Sequence, residues 1–202
     1  MPKILIQQRQ RNLIPVLILA GGKSSRMGQD KALMLYRDVP MLQRVYEVAT
    51  ACSSEVYVLT PWKERYQQIL PGNCRYLREQ QPGTGPMVGL QQGLTEITAD
   101  WVFLLACDLP LLNAEIIQNW MAQLERVPSN IMAVVPQQSG YWEPLCAFYR
   151  SHVRDDLANF LQASPQKHSF QNWLNSIPVQ PLPVDARIKI MLHNCNTPLD
   201  VE

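Results

Sequence analysis

Five short apolar runs constrain this chain most, at residues 14–20, 55–60, 74–77, 101–106 and 131–136. Each is too short for a helix and draws on Val, Ile, Leu and aromatic side chains, so each reads as a strand. Helical segments separate them. After Pro40, the residues Leu42, Val45, Tyr46 and Ala49 share one helical face to about Ala51. Residues 62–70 read as a short helix, and Pro86 opens another that runs to about Ile97. Asn113 caps a further helix through about Arg126. Strands that alternate with helical crossovers give an α/β fold with a mainly parallel sheet. The rhythm breaks after Pro136. Residues 141–149 mix turn and strand features, helices are expected at 152–162 and 168–174, Pro178, Pro181 and Pro183 read as extended chain, and a last strand is expected at 188–193.

The totals exclude several classes of function. A chain of 202 residues fits one domain, expected over 14–202, behind a polar and flexible N-terminal extension at 1–13. A net charge of +1 supplies no general field for nucleic acid or membrane, so any anion site must be local. The five cysteines are odd in number, widely spaced and without a C-x-x-C pair, which points to reduced thiols and a cytoplasmic protein. No signal peptide or membrane span is expected. The three histidines are far apart and lack metal-ligand spacing, and the five tryptophans read as core.

The first strand runs into Gly21-Gly22-Lys23-Ser24-Ser25-Arg26-Met27-Gly28-Gln29-Asp30-Lys31. Glycines let backbone amides approach an anion, and Arg26 and Lys31 add charge, so this stretch reads as a phosphate cradle. It is neither a P-loop nor a G-x-G-x-x-G dinucleotide loop. A second cluster, Gly83-Thr84-Gly85-Pro86, precedes a helix and suits an anion or a ribose hydroxyl. The fourth strand ends at Cys107-Asp108-Leu109-Pro110, where open α/β sheets place ligands. Paired with a phosphate loop, Asp108 reads as a magnesium ligand. Alternation puts Cys107 on the opposite face from Asp108, as a packed thiol. Glu143 is left open between facing an acceptor pocket and standing as an exposed loop acid, and Lys167 reads as solvated.

Leu19 to Lys31 matches the pattern L-A-G-G-x-S-x-R-M-G-x-D-K. Gly85-Pro86-Met87-Val88-Gly89, Cys107-Asp108-Leu109-Pro110 and Asn194-Cys195-Asn196-Thr197-Pro198 add three further motifs. On these residues the sequence resembles the molybdenum cofactor guanylyltransferases over about 15–199. The resemblance implies a three-layer αβα sandwich with a Rossmann-like sheet, of the glycosyltransferase-A-like, nucleotide-diphospho-sugar transferase type. It implies transfer of GMP from GTP to a molybdopterin-type cofactor with release of pyrophosphate and with Mg²⁺ as cofactor. The alternative is a cytidylyltransferase acting on molybdopterin or another small phosphorylated acceptor. Transient contacts with cofactor-delivery proteins or molybdoenzymes are implied as well. Carried onto this chain, Leu19, Ala20, Gly21 and Gly22 meet the nucleotide, and Arg26 and the loop wrap the outer phosphates. Lys31 touches the reacting phosphates, Asp108 holds the metal, and Asn194 and Asn196 lie on the acceptor side. The chain departs from the family in two places. Thr60-Pro61 follows the second strand where an asparagine is common, and Glu79 is the nearest acid where an aspartate helps recognise the base.

Overall fold

The computed structural model describes residues 14–21, 30–163 and 169–194. The expected extension at 1–13 lies outside them.

Strand β1 (Val16–Leu19) sits at the centre of an eight-stranded sheet. A hairpin of β2 (Leu35–Tyr36) and β3 (Val39–Pro40) follows, turned by Arg37 and Asp38 at φ 50° and 62°. Two positive φ angles in a two-residue loop match strand twist. Arg-Asp is not a sequence signature for that turn, so the hairpin gave no warning. Next come α1 (Met41–Cys52), β4 (Val56–Thr60), α2 (Lys63–Tyr66) and β5 (Arg75–Arg78). They are followed by α3 (Pro86–Glu96), β6 (Trp101–Ala106) and α4 (Ala114–Gln123), the last capped by the Asn113 side chain. The chain continues through β7 (Ala133–Gln138), β8 (Tyr141–Trp142), β9 (Cys146–Arg150), α5 (Arg154–Ala163) and α6 (Phe170–Leu174). It closes with β10 (Val179–Pro183) and α7 (Ala186–Met191).

The sheet order is β10-β7-β9-β6-β1-β4-β5, with β8 paired to β7. Strand β1 pairs in parallel with both β4 and β6, and β9 runs antiparallel between β6 and β7. The chain therefore winds outward in one direction through β4 and β5 and in the other from β6, so β1 and β6 flank the switch point of the sheet.

Period-two alternation divides the core. Val16, Ile18, Val58, Phe103 and Leu105 face α1 and α4 in one layer, while Leu17, Leu59, Val102 and Leu104 face α3, α5 and α6 in the other. Burial on both faces makes these runs continuously apolar, which is why they were legible as strands. The layers and the mainly parallel sheet agree with the expected sandwich. Trp101, Trp120 and Trp173 are core residues, as expected.

The expected last strand at 188–193 is instead α7. Asp185 accepts from the Ile188 amide at 2.8 Å and caps the helix, and Ile188 and Met191 turn inward at helical spacing. The helix expected over 62–70 is helical only at Lys63–Tyr66. The extended prolines at 178–183 proved to include β10, parallel to β7.

Candidate active site

Register brings the site together. Leu19 pairs with Leu59 on one side and with Ala106 on the other, so β1, β4 and β6 end level. Just past that level stand Ala20-Gly21, Thr60 as the last residue of β4, and Cys107-Asp108. Thr60 also pairs with Arg78 at the end of β5, and its carbonyl accepts from the Glu79 amide at 3.1 Å. The carboxyl ends of four parallel strands thus rim one cavity of about 540 Å³. Leu19, Ala20, Gly21, Lys31, Glu79 and Asp108 all line it, as do Gly83, Gly85 and Pro86 of the second glycine cluster. Arg26, Gly22 and Asn196 lie outside the described residues. Asn194 is exposed and does not contribute to the cavity wall.

Lys31 and Asp108 meet across the cavity, Nζ to Oδ2 at 3.4 Å, with side chains 27% and 19% exposed. Lys31 opens a 3₁₀ turn, Lys31–Leu33, capped by Asp30, whose Oδ1 accepts from the Ala32 amide at 3.1 Å. Asp108 stands two residues beyond Ala106, the end of β6. One carboxylate at a strand end, beside room for phosphates, suits Mg²⁺, which binds through one or two carboxylates and otherwise keeps water and substrate oxygens. Among the described residues, no group of three or more His, Cys, Asp and Glu side chains forms a complete protein cage for a metal.

Glu79 lies against Gly21. A Cβ at residue 21 would collide with the Glu79 carboxylate and push that flexible side chain out of its place. Glu79 Oε2 is buried and has no hydrogen-bond partner among the described residues. Desolvation raises the Glu79 carboxyl above the usual carboxylate range. Its backbone is held by a residue that sequence reasoning missed. Gln92, buried on α3, accepts from the Gln80 amide at 3.0 Å and donates to the Arg78 carbonyl at 2.7 Å, bracketing Glu79 on both sides.

Cys107 is packed against the core, as expected, but not on a face apart from Asp108. Strand β6 ends at Ala106, so alternation no longer applies, and Cys107 lines the same cavity as Asp108. Burial, and then the neighbouring carboxylates of Asp108 and Asp30, push its thiol well above the usual range, which leaves it protonated and unsuited to nucleophilic attack. Glu143 is half-buried and does not line the cavity. Cys52, Cys74, Cys107 and Cys146 are all free thiols.

Comparison with known proteins bears on this cavity. A family model described as a MobA-like NTP transferase domain matches residues 16–177. A protein of Nostoc sp. named "Probable molybdenum cofactor guanylyltransferase" is 44% identical over 192 residues, covering 94% of this chain and 89% of the relative. One of the same name from Synechococcus elongatus is 41% identical, covering 91% and 94%. Among solved structures, molybdopterin-guanine dinucleotide biosynthesis protein A from Archaeoglobus fulgidus superposes with a TM-score of 0.77 at 20% identity, covering 93% and 95%. At that identity, the superposition speaks for the fold alone.

Proposed function

Since this chain belongs to the MobA-like NTP transferase family, we propose that it transfers GMP from GTP to the terminal phosphate of a molybdopterin-type cofactor. An acceptor phosphate oxygen forms a bond to the α-phosphorus of GTP. The bond from that phosphorus to the bridging oxygen breaks, and pyrophosphate leaves with the electron pair. A phosphate nucleophile is already anionic near neutral pH, so the site needs no strong general base. Its work is alignment and charge neutralisation.

The observation that carries this reading is the meeting of Lys31, from the 3₁₀ turn, and Asp108, from beyond the end of β6, in the cavity walled by Gly21 and Glu79. Lys31 contributes positive charge beside the α-phosphoryl oxygens. Asp108 would hold Mg²⁺, which when bound screens the triphosphate and stabilises the departing pyrophosphate. By its place in the motif, Arg26 meets the outer phosphates together with the amides from Gly22 onward. Asn194 and Asn196 serve the acceptor side. Leu19, Ala20 and Gly21 present backbone to the nucleoside.

Glu79 supports guanine over cytosine. A carboxylate only accepts, and guanine offers it both the N1 hydrogen and the N2 amine. Cytosine offers a single amine there, and adenine sets a lone pair against it. Glu79 lines the cavity, so its carboxylate is the acid at hand there for a base.

Pyrophosphate release with GTP, in the presence and absence of molybdopterin, tests the assignment. Release is expected only with the acceptor, and a preference for CTP would replace the reading with cytidylyl transfer.

A further inference from the structure

Tyr66 is buried completely, at 0% exposure, at the end of α2. Its hydroxyl reaches the chain on both sides of segment 22–29. The Ala20 carbonyl lies at 3.2 Å, and the Asp30 carboxylate oxygens lie at 3.0 and 2.9 Å. The hydroxyl has one proton for these acceptors. A carboxylate is the stronger acceptor, so the proton points mainly to Asp30, with the Ala20 carbonyl as the weaker branch. Burial, and then the adjacent Asp30 carboxylate, raise the tyrosine well above its usual range, which keeps it a donor. Asp30 is held from α2 a second time, by Arg65 at 3.7 Å, and the Arg65 guanidinium lies over the Trp62 ring at 4.9 Å.

The chain of contacts continues into the cavity. Asp30 Oδ1 caps the Ala32 amide, which sets the 3₁₀ turn at Lys31–Leu33, and the first residue of that turn sends its amine to Asp108. Neither Tyr66 nor Arg65 lines the cavity. Nothing in the reaction requires a buried tyrosine here, and the apolar core would accept phenylalanine in its place.

We infer that Tyr66 is a positioning residue for the transfer reaction: through Asp30 it fixes the turn from which Lys31 enters the cavity. The inference rests on the reading of Lys31 as the group beside the reacting phosphates. A charged group displaced by a fraction of an ångström loses much of its effect on the transition state while ground-state binding changes less. The prediction is therefore a defect in turnover rather than in affinity.

Tyr66→Phe removes only the hydroxyl. Its kcat is expected to fall about tenfold, with the KM for GTP within about threefold of the wild type. In a Lys31→Ala background, the same change is expected to alter kcat less than about twofold, because a residue acting through Lys31 has nothing left to position. Asp30→Ala, tested in parallel in case the phenylalanine variant folds poorly, is expected to show the same kcat loss, and adding Tyr66→Phe to it is expected to add nothing. A Tyr66→Phe kcat within about twofold of the wild type, or an undiminished loss in the Lys31→Ala background, overturns the inference. The assignment of Lys31 fails separately, if Lys31→Ala alone keeps normal turnover, and this inference then fails with it.

Discussion

Lys31 and Asp108 stand 3.4 Å apart, yet their pairing does little for folding. Both side chains retain contact with water, and such pairs contribute roughly 0–1 kcal/mol. Their value lies in the charge they present to a triphosphate. Lys31→Ala and Asp108→Ala are each expected to lower the turnover number by about 10²–10³. Each is also expected to leave the urea midpoint close to that of the wild type. A large drop in midpoint would recast the pair as structural. Glu79 behaves in the opposite way, because its burial works against the empty protein. Its carboxyl is raised in the folded state, so it adds stability below the ordinary glutamate range and loses it as pH climbs through the raised value. Glu79→Gln is therefore expected to melt higher than the wild type in ligand-free buffer at about pH 7–8, with the gap closing toward ~pH 4. The same variant is expected to lose its preference for GTP over CTP, because the amide also donates. Melting curves across pH, with and without each nucleotide, read both effects. Of these residues, Lys31 and Asp108 were legible as glycine-loop and strand-end chemistry. Glu79 entered only as the nearest acid to an expected position, and the contact that supports it, on Gly21, is non-local. Tyr66 and Gln92 carried no sequence signal, because a buried tyrosine and a helical glutamine look ordinary until the fold shows what they hold.

Helix α3 shows how an element places a side chain it does not own. Its face toward the sheet carries glycines. A Cβ at Gly93 would strike the Leu17 side chain, and one at Gly89 would press on Leu19 and Leu59 at 3.2 Å. These glycines bring the helix close to β1, and closeness lets Gln92 reach the β5 exit. Gln92→Met keeps the length and removes the polar group. It leaves the Gln80 amide and the Arg78 carbonyl without their partner, at a cost of about 1–3 kcal/mol. We expect a lower denaturant midpoint and, because Glu79 is no longer bracketed, a reduced ratio of GTP to CTP turnover. An unchanged ratio would show that Glu79 holds its place without Gln92. Elements with strong local signals were the legible ones. Strand β6 stands at Trp101–Ala106 as read, and Asn113 caps α4 as read. Helix α7 was mistaken for a strand because Ile188 and Ile190 alternate with charged residues. The Asp185 cap, which decides the matter, lies three residues ahead of Ile188.

Across the whole molecule, the cavity is assembled from β1, β4, β5, β6 and the start of α3, so a ligand there bridges elements on both sides of the switch point. Binding is then coupled to global unfolding. A ligand at a hundred times its dissociation constant adds about 2.7 kcal/mol. For a chain of this size, that corresponds to a rise in melting temperature of about 5–10 °C. Mg²⁺ with GTP is expected to give such a shift, and excess EDTA to remove most of it. A shift that is indifferent to EDTA would detach the metal from Asp108. The parallel winding was legible because both faces of each central strand are apolar. The antiparallel insertion of β9 was not, since strand order is set by pairings between distant residues.

The two margins of the sheet carry one more consequence. Strand β10 bears prolines at 181 and 183, two residues apart, whose missing amides fall on the same side. A ladder with β7 tolerates them only if that side faces outward. At the opposite margin, β5 begins and ends with exposed arginines, and Arg75 is tied to Glu55 at 2.9 Å. Both borders therefore resist an incoming extended peptide. Neither border offers a template on which a second copy could continue the sheet, which guards the chain against edge-to-edge aggregation.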